Sequence, residues 1–269
     1  MSLPLLLEPA ELARHLNDAN LLILDLGKES VYQQAHVPGA VPVNGKQFVL
    51  GQLPAPGQLP PVEQLSAAFS ALGLTPDKHV VVYDDEGGGW AGRLIWTLDV
   101  IGHPHYSYLN GGIHAWLADG LPAENTPNPP VPSQYTATIH TGPIADRDYV
   151  LAHYQAPDHV IWDARSPEEF AGTRLLAQRG GHIPGARNYE WTLAMDRSRA
   201  LRLREPEAVR AELAAMGITA DKTIVTHCQT HHRSGFTYLV GKVLGLPALK
   251  AYPGSWSEWG NNPDSPVER

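Results

Sequence analysis

Residues 223–235 read TIVTHCQTHHRSG, and this stretch decides how the rest of the chain is read. Its opening, TIVTHC (223–228), is a short β-branched run of the kind that forms a parallel strand covered on both faces. Beyond it, Phe236, Leu239, Val240, Val243 and Leu244 recur at i, i+3, i+4, i+7 and i+8, which predicts an amphipathic helix over 234–245 with one buried stripe. Cys228, the only cysteine in 269 residues, therefore stands where a strand gives way to a loop that feeds a helix. Such a loop presents unpaired N–H groups and the positive end of a helix dipole, so whatever sits there is biased towards an anion. For Cys228 the bias favours thiolate over thiol, and His231, His232 and Arg233 add to it. A buried structural thiol is the plain alternative, opposed by the polar flanks, Thr-His before and Gln-Thr-His-His-Arg after. A zinc site from His227, Cys228, His231 and His232 is the other; ligands so close on a tight turn seldom meet tetrahedral geometry, and no second cluster exists.

Working outward, the same pattern occurs earlier in the chain. ALGLTPDKHVVVYD (71–84) answers AMGITADKTIVTHC (215–228), AHVPGAVPVN (35–44) answers GHIPGARNYE (181–190), and LNGGIHAW (109–116) answers YPGSWSEW (252–259). Matches in one order at a near-constant offset indicate tandem duplication. Between the copies, ENTPNPPVPSQ (124–134) is proline-rich without apolar periodicity and reads as a semi-rigid linker. The expected organisation is a first domain over 1–124, a linker over 125–134 and a second domain over 135–269. In each copy short apolar strands (LLILDL 21–26, HVVVYD 79–84, HVIWDA 159–164, TIVTHC 223–228) alternate with helical segments, and SPEEF (166–170) opens with an N-cap serine, a first-turn proline and two glutamates. The fold class is α/β, with two tandem domains, each a mainly parallel sheet flanked by helices.

Where the second copy has Cys228, the first offers Asp84 if strands are aligned and Asp85 if helices are; a carboxylate there is electrostatically content but offers no thiol nucleophile. His36 and His182 recur in both copies although only one copy has a thiol, so both are read as turn residues that satisfy nearby carbonyls. Asp25 and Asp163 end equivalent strands and are expected to accept loop N–H groups or, for Asp163, to pair with Arg165. Trp90 and Arg93 near the first loop serve equally as lining or packing residues.

Composition narrows the functions. The chain has 43% hydrophobic residues, enough for proper cores, and a net charge of −8. There is no Lys/Arg run that would follow a phosphate backbone, so nucleic acid is not expected as a partner. There is no apolar run near ~20 residues and no secretory leader pattern, so the expected location is the cytoplasm, away from membranes, and a single cysteine needs no oxidising compartment.

HCQTHHRSG, the two H-[VI]-P-G-A segments and the duplicated strand-loop-helix together resemble a tandem-domain rhodanese, a thiosulfate:cyanide sulfurtransferase, and the loop matches a bacterial subgroup with Cys-Gln-Thr-His-His-Arg. The resemblance spans essentially the whole chain. It implies two rhodanese-like domains, only the second catalytic, with Cys228 as the persulfide-forming nucleophile and Gln229, Thr230, His231, His232 and Arg233 as the substrate-binding loop. It implies thiosulfate as donor and cyanide or a thiol as acceptor, with sulfur-accepting proteins as further partners, and neither cofactor nor metal. Other members carry Arg-Lys after the cysteine, or Gly-Ser-Gly where mercaptopyruvate is the donor, and animal thiosulfate users place an arginine where this chain has Glu168 or Glu169. Arg165, Arg174 and Arg179 are the nearby substitutes. The alternatives are a 3-mercaptopyruvate sulfurtransferase, a persulfide relay to protein acceptors, and a cysteine phosphatase of related fold. Phosphatase loops place five residues between cysteine and arginine, whereas Cys228 and Arg233 are separated by four, a smaller cradle suited to one sulfur atom.

Overall fold

The computed structural model describes residues 3–269. The chain forms two compact units, one made of residues 3–48, 60–139 and 195–203, the other of residues 49–59, 140–194 and 204–269. Neither is one contiguous stretch: residues 49–59 pack with the second unit and residues 195–203 with the first.

In the first unit, β1 (Leu6–Leu7), α1 (Pro9–Leu12), β2 (Leu21–Asp25), α2 (Glu29–Tyr32), β3 (Val41–Pro42), α3 (Val62–Ala71), β4 (His79–Tyr83), α4 (Gly89–Val100), β5 (Tyr106–Leu109) and α5 (Gly112–Ala118) follow in order. The sheet is parallel, in the order β1-β5-β4-β2-β3. All residues of β4 are buried, which is why its sequence is a continuous run with no polar alternation. Helix α3 stops where Gly73 turns into the left-handed region (φ +82°), a conformation glycine adopts without a Cβ penalty.

The second unit runs α6 (Arg147–His153), β6 (His159–Asp163), α7 (Pro167–Phe170) and β7 (Arg187–Asn188). The antiparallel pair β8 (Met195–Asp196) and β9 (Arg202–Leu203) then returns to the first unit, where the Leu203 N–H donates to Asn110 Oδ1 at 2.7 Å. The second unit resumes with α8 (Pro206–Ala215), β10 (Thr223–His227), α9 (Arg233–Val243), β11 (Leu249–Ala251) and α10 (Ser255–Trp259). Its parallel sheet has the order β11-β10-β6-β7. Helix α9 begins one residue before the expected start, because Arg233 already has helical geometry.

Each unit has its own core. Ile23, Val81, Tyr83, Ile113 and Trp116 pack together in the first, and Ile161, Val225, Tyr252, Trp256 and Trp259 in the second. The repeated histidines do what the turn reading expects. His36 Nδ1 lies 2.7 Å from the Tyr32 carbonyl with its ring stacked on Tyr32, and His182 Nδ1 lies 2.9 Å from the Phe170 carbonyl with its ring stacked on Phe170. Residues after the first domain stay extended along the first unit, anchored where the Ser133 and Tyr135 N–H groups bond the Ser70 carbonyl and hydroxyl at 2.8 and 2.9 Å.

Candidate active site

Strand β10 ends at His227 and α9 begins at Arg233, leaving residues 228–232 as the loop between them. Cys228 is 1% exposed, and its sulfur accepts hydrogen bonds from the Ser234 hydroxyl and from the Ser234 and Thr230 N–H groups. Burial pushes the thiol up, but Arg233 and these donors outweigh it and bring the group down to about 7. The loop is fixed from the far side by the start of α10. The Cys228 N–H donates to Ser255 Oγ at 3.2 Å, while the Cys228 and Gln229 carbonyls accept from the Trp256 and Ser257 N–H groups at 2.9 and 3.0 Å.

Arg233 is tied to Glu169 by two parallel bonds, Nη1 to Oε2 at 2.6 Å and Nη2 to Oε1 at 2.8 Å. Glu169 is held at α7 by a capping box with Ser166, the feature legible in SPEEF. Burial pushes the Glu169 carboxyl up, yet the Arg233 bonds prevail and hold it below its ordinary range. Beneath the loop, Asp163 takes Arg165 Nη2 on Oδ2 at 2.6 Å and Nε on Oδ1 at 3.0 Å, and His227 Nε2 lies 3.3 Å from Oδ2. Burial opposes ionisation of Asp163, but His227 and Arg165 keep its carboxyl well below the usual range. Asp163 thus pairs with Arg165 as its position suggests.

The expected loop residues lie together. Gln229 Nε2 donates to the Leu176 carbonyl at 3.0 Å; Thr230 supplies a backbone donor to sulfur; His231 is fully buried with Nδ1 2.8 Å from Ser234 Oγ; the His232 ring centroid lies 6.0 Å from that of Trp191. The polar flanks of Cys228 do not keep the segment out of the interior. Thr226, His227, His231 and Ser234 are all buried, because the network supplies each with a polar neighbour. Of the substitute arginines, Arg165 is committed to Asp163, and Arg179 donates to the carbonyls of Trp259, Asn262, Pro263 and Ser265. Arg174 is the exposed one. Ser234 and Ser255 escaped the sequence reading. A hydroxyl in the first turn after a thiol loop was the available signal for Ser234; for Ser255 there was none, since only the fold brings it to Cys228.

The first unit holds the counterpart. Register pairs Asp25 with Tyr83 and Asp163 with His227, so Asp84 stands where Cys228 does and the strand alignment is the correct one. The Asp84 carboxylate accepts from the N–H groups of Glu86, Gly87, Gly88 and Ala91 at 3.1, 3.1, 2.8 and 3.0 Å. Burial, with the neighbouring Glu86, still pushes its carboxyl up against those donors. Arg93 is buried and donates to the Phe48 carbonyl at 2.7 Å, a packing role, whereas Trp90 lines a cavity of about 650 Å³ together with Tyr32, Lys28, Lys46 and Asp85. Among the described residues no group of three or more His, Cys, Asp or Glu side chains is placed to hold a metal ion, and no helix is long and apolar enough to cross a membrane.

One anion nest filled by a carboxylate and its twin filled by a thiol define a duplicated α/β protein whose two loops differ in the group they hold. The chain belongs to the rhodanese-like family: the Rhodanese-like domain matches it over residues 8–119 and again over 146–262. It is 55% identical to a thiosulfate sulfurtransferase of Azotobacter vinelandii, over 99% of this chain and 98% of that one, and 53% identical to a thiosulfate sulfurtransferase of Pseudomonas aeruginosa, over 99% and 97%. The fold is shared with the crystal structure of an anaerobic ergothioneine biosynthesis enzyme from Chlorobium limicola, at a TM-score of 0.84 and 21% identity; the match covers 94% of this chain and 65% of that one.

Proposed function

We propose that the protein is a thiosulfate sulfurtransferase working through a persulfide on Cys228. The observation that carries the reading is the sulfur's setting: a buried thiol brought down to about 7, with two N–H donors and a hydroxyl directed at it and the positive charge of Arg233 nearby. The Cys228 thiolate attacks the outer sulfur of thiosulfate, the bond between the two sulfurs of the donor breaks, and sulfite leaves with the electron pair. The Cys228 persulfide then carries the sulfur and the negative charge, in the nest that held the thiolate. Cyanide attacks the outer sulfur, the persulfide bond breaks, thiocyanate leaves and the thiolate returns. Gln229, Thr230, His231, His232 and Arg233 form the loop that surrounds the transferred sulfur. The four residues between Cys228 and Arg233 support a sulfur site over a phosphoryl cradle. A thiol, or a sulfur-accepting protein in the cytoplasm, takes the place of cyanide in the cell. Leu175 and Leu176, 60% and 45% exposed beside Gln229, support contact with such a protein.

Exposure to thiosulfate followed by removal of excess donor is expected to leave an adduct one sulfur atom heavier, located on Cys228 and cleared by cyanide. Cys228→Ser is expected to form no adduct and to show no turnover, and thiosulfate is expected to exceed 3-mercaptopyruvate in kcat/KM. An unmodified mass after exposure to sulfur donors would refute the persulfide, and a higher kcat/KM with mercaptopyruvate would reassign the donor.

A further inference from the structure

The thiolate nest contains one donor whose direction is not set by the backbone. The N–H groups of Thr230 and Ser234 point where the loop and the first turn of α9 aim them, but the Ser234 hydroxyl rotates and has a single proton. Its oxygen has two polar neighbours, the Cys228 sulfur and His231 Nδ1 at 2.8 Å. If Nδ1 is a bare lone pair, the hydroxyl proton is drawn to the imidazole and the oxygen lone pairs face the sulfur. If Nδ1 carries hydrogen, it donates to the oxygen, and the hydroxyl proton is left for the sulfur.

His231 is held in this place at a conformational cost. It is fully buried and has φ +55°, the left-handed region that a side chain with a Cβ rarely adopts. Glycine would take that backbone conformation freely, and asparagine more readily than most residues. The loop nonetheless places an imidazole there and turns it back onto Ser234.

We propose that His231 is a positioning residue that donates its Nδ1 hydrogen to Ser234 Oγ and thereby commits the Ser234 hydroxyl to the Cys228 sulfur. The chain of donors, imidazole to hydroxyl to sulfur, stabilises the thiolate before sulfur transfer and the persulfide after it, and His231 acts only through Ser234. The inference rests on Cys228 being the sulfur acceptor, but its test reads the thiol directly. The charged and titratable groups facing the loop, Arg233 with Glu169, Asp163 with Arg165 and His227, and His232, are the same residues in every variant tested.

The experiment is a pH titration of Cys228 in the full chain, by thiolate absorbance and by alkylation rate, in four variants: His231→Asn, His231→Gly, Ser234→Ala and His231→Gly with Ser234→Ala. Asparagine retains an N–H near the Nδ1 position and suits the backbone, so His231→Asn is expected to keep the native midpoint. His231→Gly keeps the backbone and loses the donor, so its midpoint is expected to rise by about one pH unit, and that of Ser234→Ala by about one to two, the worth of a hydrogen bond to an ionised group. The double variant is expected to match Ser234→Ala alone. An unchanged midpoint in His231→Gly, or an equal added shift with serine already absent, would overturn the proposal. Should His231→Gly fail to fold, His231→Asn decides: a midpoint raised as far as that of Ser234→Ala is against the proposal, and a native midpoint is for it. Loss of the persulfide adduct with the predicted shifts intact would count against the function and not against the donor chain.

Discussion

Arg233 answers two demands that pull in opposite directions. Its charge brings the Cys228 thiol down, and the proposed mechanism needs it for an anionic donor, yet Glu169, 2% exposed, grips it with both oxygens and compensates much of that charge. Bidentate pairing fixes the plane of the guanidinium, so what the loop gains is a directed charge in place of a mobile one. Replacing Arg233 by alanine is therefore expected to cost about 2–4 kcal/mol in kcat/KM for thiosulfate and to raise the Cys228 midpoint. The same change strands Glu169 in the interior and should remove about 2–3 kcal/mol of stability, which Arg233→Ala with Glu169→Ala should partly restore. Glu169→Gln removes a negative charge near the thiol and should move the midpoint the other way, downwards. Titration of the thiol and urea denaturation of the four proteins check these signs together.

At the scale of elements, the loop that carries Cys228 is clamped between segments far from it in the chain. The start of α10 holds the carbonyls of Cys228 and Gln229, and residues 49–59 of the second unit run close alongside. Gly57 shows how close. A Cβ on this residue would stand 2.2 Å from the Thr230 carbonyl oxygen and 2.6 Å from that of Pro253, distances that force one backbone to move. Gly57→Ala is thus expected to strain the loop by about 1–3 kcal/mol and to lower kcat/KM for thiosulfate by about tenfold or more, with Cys228 itself untouched. Steady-state kinetics alongside thermal melting tests this. A native rate in the alanine variant would show that the loop does not depend on that approach.

At the scale of the whole molecule, the first unit holds two buried carboxyl groups, Asp84 and Asp25, whose effects differ. Asp84 fills its own nest with four N–H donors, so Asp84→Ala should lose about 2–4 kcal/mol of stability while turnover per folded molecule stays within about threefold of native. Loss of turnover in a folded Asp84→Ala protein would give the first unit a direct part in the chemistry. Asp25 is 3% exposed, and burial, against hydrogen bonds from Tyr83 and Gly27, pushes its carboxyl up to about 6 from an ordinary 3.8. Between those values the folded chain holds a proton that the unfolded chain has released. The stability Asp25 contributes is therefore fully present below about pH 3.8 and is lost as pH rises through about 6, amounting to about 3 kcal/mol. Urea unfolding from about pH 4 to pH 7 should show this decline in the native protein and a flatter profile in Asp25→Asn. An identical slope in both would mean that another group controls the window.

Much of the molecule is written in short-range patterns. The buried parallel strands, the capping box of SPEEF, the glycine stop after α3 and the strand-loop-helix around Cys228 each depend on residues within a dozen positions of one another, which periodicity and local chemistry can reveal, and the duplication shows because the same local patterns recur in the same order at a near-constant offset. The thiol's place in the loop, and the aspartates that end the equivalent strands, were legible for the same reason. Strand register, in contrast, chose Asp84 over Asp85 as the counterpart of Cys228. Tertiary structure alone decided that Glu169 would hold Arg233, that Ser255 would receive the Cys228 N–H, that His227 and His231 would be buried, and that residues 49–59 would lie against the Cys228 loop. Those contacts join residues far apart in sequence. Their hydrogen bonds and close approaches exist only once the sheet has brought the carboxyl ends of its strands together, and no local pattern encodes which distant partner will be waiting there.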